Sequence, residues 1–176
     1  MNTPTVAVRR VAPGEAMNLV EPLSDVLIDC VEGGASVSFM LPISRETARA
    51  FWRGVAQGVQ RGERVLLVAE DAQGVVGTVQ LITAMPENQP HRADVAKMLV
   101  MRRARRQGIA LQLMQAVDEE ARREGRNVLV LDTVTGGAAQ ALYEKAGWQR
   151  VGEVPRYALM PEGGFCGTTF FHKQLS

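Results

Sequence analysis

The sequence predicts a mixed α/β fold, one sheet with helices packed against it. Three observations carry this expectation. The apolar patterns along the 176 residues follow the order β-α-α-β-β-β-α-β-α-β-β. Arg64–Glu70 and Val75–Thr83 are β-rich runs joined by Asp71-Ala72-Gln73-Gly74, which reads as a hairpin. The stretch Val100–Ala110 carries a strand end through a basic, glycine-containing turn directly into an amphipathic helix.

Each element has its own signal. Thr5–Val11 partly alternates and reads as a first strand, punctuated by Pro13-Gly14. From about Glu15 to Val31, the spacing of Leu19, Leu23, Val26, Leu27 and Cys30 predicts a helix, with Pro22 marking an early turn or a break. Glu32-Gly33-Gly34-Ala35-Ser36 reads as a flexible loop before the apolar Val37, Phe39, Met40 and Leu41. Ser44 is a plausible N-cap with Glu46 in the first turn, and Ala48, Phe51, Trp52, Val55 and Val59 share the face of a second helix that Arg61-Gly62 ends. After the hairpin, Met85–Pro90 is a loop and His91–Met101 a long strand. Ala110, Leu113, Met114, Val117 and Ala121 form one face of a helix running to about Glu124, with Gly125 beyond it and Glu119 placed to pair with Arg123. Val128–Asp132 reads as a buried strand, and Gly136-Gly137 opens a short helix bearing Ala138, Ala141, Leu142 and Tyr143. Trp148–Val154 and Phe165–Lys173 close the chain as strands joined by a Pro/Gly-rich segment.

Composition bounds the function. With 46% hydrophobic and 22% charged residues, the chain is an ordinary globular sequence. Its length fits one domain, burying roughly 70% of the unfolded surface in one core. A net charge of +1 argues against a general nucleic-acid binder. The dense Arg102, Arg103, Arg105 and Arg106 lack the nearby stacking aromatics of a nucleic-acid platform. No apolar run approaches the ~20 residues of a membrane span. Val6-Ala7-Val8 runs straight into Arg9-Arg10, which excludes a signal-peptide core, so a cytoplasmic location is expected. Cys30 and Cys166 have no metal spacing, and His91 and His172 form no ligand pattern, so no metal site is expected.

The basic turn is the chemically informative stretch. A loop entering a helix delivers unpaired backbone N–H groups and the positive helix end to one point, a ready anion site. By itself this allows a phosphate, a nucleic acid or a solvated turn.

Two motifs narrow it. Arg105-x-x-Gly108-x-Ala110 resembles the R/Q-x-x-G-x-G/A signature of the GNAT superfamily of acetyl-CoA-dependent N-acetyltransferases. Ala110 replaces the last Gly, and Arg106 stands where Gly is frequent, which suits a φ below zero at both positions. About thirty residues on, Ala141-Leu142-Tyr143-Glu144-Lys145-Ala146-Gly147-Trp148 resembles the family's A-x-x-L-Y-E-K-x-G-F block, with Trp148 in place of Phe. The resemblance covers about residues 5–174 and implies a single GNAT-like N-acetyltransferase domain over 1–176, a mixed, mostly antiparallel twisted sheet flanked by helices. Gly33-Gly34-Ala35-Ser36-Val37-x-Phe39-Met40, Val68-Ala69-Glu70-Asp71, Leu131-Asp132-Thr133 and Val151-Gly152-Glu153-x-Pro155 resemble most closely the tabtoxin-resistance type, which acetylates the amino group of a small β-lactam toxin.

The resemblance implies acetyl-CoA as cosubstrate, its pyrophosphate held by main-chain N–H groups from Gln107 through Gly108, Ile109 and Ala110 to Leu111, with Arg105 and Arg106 adding charge. Met98, Leu99 and Val100 would lie beside the pantetheine arm like a further strand, the Val100 amide polarising the thioester carbonyl. Tyr143 would serve as general acid toward the leaving thiolate. Many members carry Asn seven residues before this Tyr; here that position is Gly136, so Thr133, Thr135 or main chain must substitute. A base or a water relay must take the ammonium proton, and Asp94 and Asp132 are the candidates; strand parity puts Asp94 on the side of Met98 and Val100. Glu32, Gly34 and Ser36 have a weaker claim on the acceptor.

The expected reaction is direct attack of a primary amine on acetyl-CoA in a ternary complex, because both cysteines lie outside the motifs. The acceptor expected is a small amino-acid-like molecule of the toxin- or antibiotic-resistance kind, with no nucleic acid and no membrane as partner. A homodimer through the C-terminal strands is an expectation from the family alone. The alternatives are a non-catalytic acyl-CoA-binding regulatory module and a protein or peptide N-acetyltransferase.

Overall fold

The computed structural model describes residues 5–176. In chain order they form β1 (Ala7–Arg10), α1 (Val20–Glu32), α2 (Arg45–Gln60), β2 (Arg64–Asp71), β3 (Gly74–Ile82), β4 (Arg92–Val100), α3 (Ile109–Arg123), β5 (Val128–Val134), α4 (Ala138–Lys145), β6 (Gln149–Leu159) and β7 (Phe165–Gln174). The seven strands make one sheet in the order β1-β2-β3-β4-β5-β7-β6. Only β4 and β5 run parallel; every other neighbouring pair is antiparallel. The α/β class and the mostly antiparallel sheet thus follow the expectation.

Alternation along β2 sorts the core into two layers. Leu66 and Val68 face α1 and α2, packing with Leu23, Leu27, Trp52 and Val55. Val65, Leu67 and Ala69 face the other way, with Leu113, Met114 and Val117 of α3. Helix ends fall where local chemistry puts them. Ser44 Oγ accepts the Thr47 N–H at 3.1 Å and caps α2. Gly108, at φ 76, turns the chain into α3. Pro22 sits in the first turn of α1, where a missing N–H costs nothing, so it breaks no helix; a short 3₁₀ turn, Ala16–Leu19, precedes it.

β6 departs from expectation by running through Pro155 to Leu159. It is an edge strand, so a residue without an N–H is tolerated there, and the ladder shifts register between Val154 and Ala158.

The feature that makes a site is a split in the middle of the sheet. β4 pairs with β5 only over Arg92–Asp94 against Val128–Val130. Beyond that, β5 stays with β7 as far as Val134, while β4 continues beside β3. The ends of β4 and β5 therefore diverge and leave a cleft. Opposite β3, the ladder jumps from Gln80–Ala96 to Thr78–Leu99, a β-bulge with Lys97 in it at φ 52.

Among the described residues no helix is long and apolar enough to cross a membrane, and no cluster of His, Cys, Asp and Glu is arranged to hold a metal ion.

Candidate active site

Two adjoining cavities fill the cleft. The first, about 410 Å³, is lined by the loop Ser36–Met40, by Lys97 and Met98 of β4, by Asp132 and Thr133 of β5, and by Tyr157 and Thr168 of the β6–β7 hairpin. The second, about 530 Å³, is lined by Cys30, Gly34, Met98, Leu99, Val100, Arg105, Ala110, Thr133, Ala138 and Tyr143, among others. Ser36, Val37, Met98, Thr133, Val134 and Tyr143 border both, so the two form one passage.

The backbone of β4 explains the second cavity's polarity. The Met101 N–H donates to Val76 O at 2.8 Å, one position beyond the Gly77–Val100 pair. That pair is therefore the non-hydrogen-bonded kind, and Val100 directs its own N–H and C=O away from β3 into the cleft. Its carbonyl accepts from Arg105 Nε at 3.2 Å and from Cys30 Sγ at 3.4 Å. Burial pushes the Cys30 thiol pKa up, although Arg105 opposes this, so the group stays a neutral thiol.

The basic turn lies at the outer end. α3 makes its first backbone bond from Gln112 N–H to Gly108 O, so the N–H groups of Gly108, Ile109, Ala110 and Leu111 precede the helical ladder and face whatever sits above the helix end. The Ile109 side chain is buried in the core, which leaves its main chain as the only part that can reach a ligand.

The arginines divide into two pairs. Arg102 donates from its backbone N–H to Asp29 Oδ2 at 2.8 Å and from Nε to Oδ1 at 3.0 Å. Arg103 donates to Asp71 Oδ2 at 2.6 Å, which holds that carboxyl below its usual range. These two anchor the turn to α1 and β2. Gly33 permits the close approach, since a Cβ there would lie 2.9 Å from Arg102 Cδ. Arg105 lines the second cavity and Arg106 stays outside it. Arg106 also corrects an expectation: its φ is 60, not below zero, so a residue with a Cβ occupies a left-handed position that suits glycine.

Tyr143 lies where the cavities meet, only 6% exposed, its ring packed at 6.2 Å from Trp148 and 6.0 Å from Phe171. Burial, with help from the negative charge of Asp132, raises its pKa to about 12. Asp132 lines the first cavity and receives a hydrogen bond from Thr168 Oγ1 at 2.7 Å. Thr133 borders both cavities, whereas Thr135 turns away to Thr169 at 2.9 Å and lines neither.

Asp94 does not join them. Its carboxylate takes a hydrogen bond from Arg92, and it lines neither cavity. The parity argument fails at the bulge. Ala93 and Val95 pack in the α3-side layer together with Met98 and Val100, which lie the same way only because an extra residue intervenes. Asp94 therefore points to the opposite face. Glu32 is corrected as well. It lies 4.0 Å from Arg102 and lines neither cavity, whereas Gly34 and Ser36 do line the passage. Of the expected cofactor contacts, Arg106, Gln107, Gly108, Ile109 and Leu111 stand outside both cavities, beside the mouth of the second.

Lys97 is the side chain the sequence reading missed. Its one signal is a lysine inside the otherwise apolar run Val95-Ala96-Lys97-Met98-Leu99-Val100.

Comparison with known proteins finds likenesses of sequence and of fold. A family model described as an acetyltransferase (GNAT) domain matches residues 62–150, just over half of the chain. A curated relative from Azospirillum brasilense, an uncharacterized N-acetyltransferase in the hisH-hisA intergenic region, is 35% identical over 112 residues. That match covers 62% of this chain and spans 65%, just under two thirds, of the relative's own length. Among solved structures, a ribosomal-protein-alanine N-acetyltransferase from Brucella melitensis is 25% identical, with a TM-score of 0.76 over 96% of this chain and 99% of that one. The Salmonella typhimurium yncA structure, solved with its cofactor acetyl-CoA, has a TM-score of 0.76 over 98% of this chain and 95% of that one; at 17% identity it speaks for the fold alone.

Proposed function

Because the chain belongs to the GNAT acetyltransferase family, we propose that it transfers the acetyl group of acetyl-CoA to a primary amine of a small amino-acid-like molecule, by direct attack in a ternary complex. The observation that carries the reading is the passage itself. One cavity leads from the N–H groups ahead of α3 along the Val100 backbone, a second opens beyond it, and Tyr143 stands where they meet.

The second cavity suits the arm of the cosubstrate. Its walls are mostly apolar, with Val100 N–H available as a donor and Arg105 at its outer end. The pyrophosphate would rest on the N–H groups of Gly108–Leu111, with Arg105 and Arg106 nearby, and Thr133 takes the place open beside Gly136. Acetyl-CoA supplies the activated acyl group: its C–S bond breaks, a C–N bond forms, and free thiol and one net proton leave.

The protein's residues handle the charges. The Val100 N–H is positioned to hold negative charge gathering on the acyl oxygen. Asp132, on the wall of the first cavity, takes the ammonium proton directly or through a water. Tyr143, with a pKa of about 12, remains protonated at every physiological pH and donates toward the leaving sulfur. Ordinary thiols ionise near ~8.5, so Tyr143 stabilises the thiolate by hydrogen bonding more than by surrendering its proton. Both cysteines border the passage, and what supports direct attack over an acyl relay is that each is already engaged. Cys30 is a neutral buried thiol turned to the Val100 carbonyl, and Cys166 is tied to Ala158 O and Ser36.

The enclosure of the first cavity by Ser36–Met40 and the β6–β7 hairpin favours a small acceptor. Ser36 donates to Leu159 O at 3.0 Å and Leu41 N–H to Pro161 O at 2.9 Å, so these two walls are tied together. The test is to incubate the protein with acetyl-CoA and a panel of amines and peptides and follow thiol release. Turnover of amino acids is expected. Turnover of peptides alone would replace this acceptor with a protein, and coenzyme A binding without any turnover would support a regulatory module.

A further inference from the structure

Lys97 is an anomaly in both its backbone and its charge. At φ 52 it holds a left-handed conformation that costs a side-chain-bearing residue about 1 kcal/mol. Positions kept in such a conformation cluster at ligand sites. The side chain lines the first cavity, with Nζ 3.0 Å from Ser38 Oγ and 5.9 Å from the centre of the Phe51 ring. Among the described residues no carboxylate lies within ion-pair distance of it. Lys173 shows what the fold does when a half-buried lysine is structural: it receives a carboxylate, Asp118 at 2.5 Å, and a carbonyl, Ala146 O at 2.6 Å. Lys97 touches only a hydroxyl and a ring; burial lowers its pKa, and the negative charge of Asp132 in the same cavity opposes that shift without an ion pair. A half-buried cation whose one nearby anion stays beyond contact is unfavourable unless a ligand brings another anion to it.

The rest of the cavity agrees. Its charged lining side chains are Lys97 and Asp132, one of each sign, among apolar and hydroxyl-bearing neighbours. Asp132 is the wall that attracts an ammonium group. Lys97 offers the complementary charge.

We propose that Lys97, with Ser38 beside it, binds a carboxylate or similar compact oxyanion on the acceptor, so that the amine acetylated by this protein carries an anionic group as well as its nitrogen. This rests on the acetyltransferase reading above and deepens it. Plain alkylamines and polyamines are poor acceptors on this account, because they place nothing, or a second cation, against Lys97.

The test compares matched pairs: amino acids, the amines left when their carboxylate is removed, and the corresponding aminophosphonates, each followed by thiol release from acetyl-CoA. A hydrogen bond to a charged group is worth roughly ten- to hundred-fold in kcat/KM, and wild type is expected to favour the anionic member by that factor, chiefly in KM. Lys97→Met should abolish the preference, bringing the kcat/KM of the two members of each pair together, with affinity for coenzyme A within about two-fold of wild type, while Lys97→Arg keeps part of the preference. Lys97→Gly suits the left-handed backbone, folds in case Lys97→Met does not, and should lose the preference equally. A wild type that treats both members of each pair alike, or a Lys97→Gly that keeps the preference, overturns the proposal and leaves the acetyltransferase reading standing. If no amine releases thiol and coenzyme A fails to bind in calorimetry, both fall together.

Discussion

Thr168 Oγ1 stands 2.7 Å from Asp132 Oδ2 and 3.0 Å from the Thr133 carbonyl, so one hydroxyl proton is shared between the proposed base and the strand that carries it. Asp132 belongs to β5 and Thr168 to β7, diagonal neighbours on strands joined through Val134. The contact fixes one carboxylate oxygen and leaves the other for the cavity. Asp132→Asn should lower kcat by about a hundred-fold, the usual scale of a lost acid–base group. Thr168→Val should cost less, about five- to ten-fold, the scale of one neutral hydrogen bond. Asp94→Asn should leave kcat unchanged, since its carboxylate turns away from both cavities. Steady-state thiol release on the three variants checks this ordering, and a greater loss for Asp94→Asn than for Asp132→Asn would contradict the placement of the base.

Tyr143→Phe keeps the ring contacts with Trp148 and Phe171 and removes only the hydroxyl. Turnover is expected to fall by about a hundred-fold with coenzyme A affinity preserved. Calorimetry beside kinetics separates the two effects, and a drop in affinity matching the drop in turnover would make the hydroxyl a binding group instead.

The raised pKa of Tyr143 has a pH signature. Its protonated form persists to about 12, so the activity should show no loss near pH 10, where an ordinary phenol ionises. The same shift acts on stability. A group whose pKa is higher folded than unfolded contributes fully below the unfolded value and loses that contribution as pH rises toward the folded one. Between pH 10 and about 12 wild type should therefore lose on the order of 2–3 kcal/mol that Tyr143→Phe does not lose, which denaturant titrations at several pH values would reveal.

Asp29 holds the basic turn through the Arg102 backbone and side chain. Asp29→Ala should weaken coenzyme A binding about five-fold, the ~1 kcal/mol scale of a partly exposed charged contact, without changing the preference among acceptors. Arg106→Gly should raise unfolding stability by about 0.5–1 kcal/mol, because a glycine takes φ 60 without strain. Thermal unfolding and calorimetry of the two variants test whether the turn is a rigid cradle.

How much of this was legible depends on the range of the cause. The hairpin, the Ser44 cap and the amphipathic α3 rest on neighbours in sequence, and the patterns showed them. The GNAT motifs located the turn and Tyr143 for the same reason. Roles assigned by distant partners stayed hidden: nothing near Arg102 or Arg103 names Asp29 or Asp71 as the groups that neutralise them. One cause defeats strand parity at Asp94 and hides the cleft position of Lys97. The bulge that reverses parity in β4 carries neither Gly nor Pro to announce it.

That bulge gives the strand a change of phase. Upstream of Lys97, β4 is bound to the sheet's own ladder; downstream, the same alternation is offset by one so that Met98 and Val100 serve the cleft. If β4 ran on without the bulge and kept all its residues, Lys97 alone would oppose Val79 and the rest would slip by one, turning Met98 and Val100 to the helices α1 and α2 and spending the Val100 amide on β3. Deleting Lys97 would instead leave the Gln80–Ala96 and Thr78–Leu99 pairs as they are, so Met98 and Val100 would keep their direction and the cleft would lose only its lysine. The extra residue thus brings a charge into the cleft without disturbing the strand on either side of it, and an alignment of relatives that slips by one at this point would attribute every cleft contact to the wrong residue.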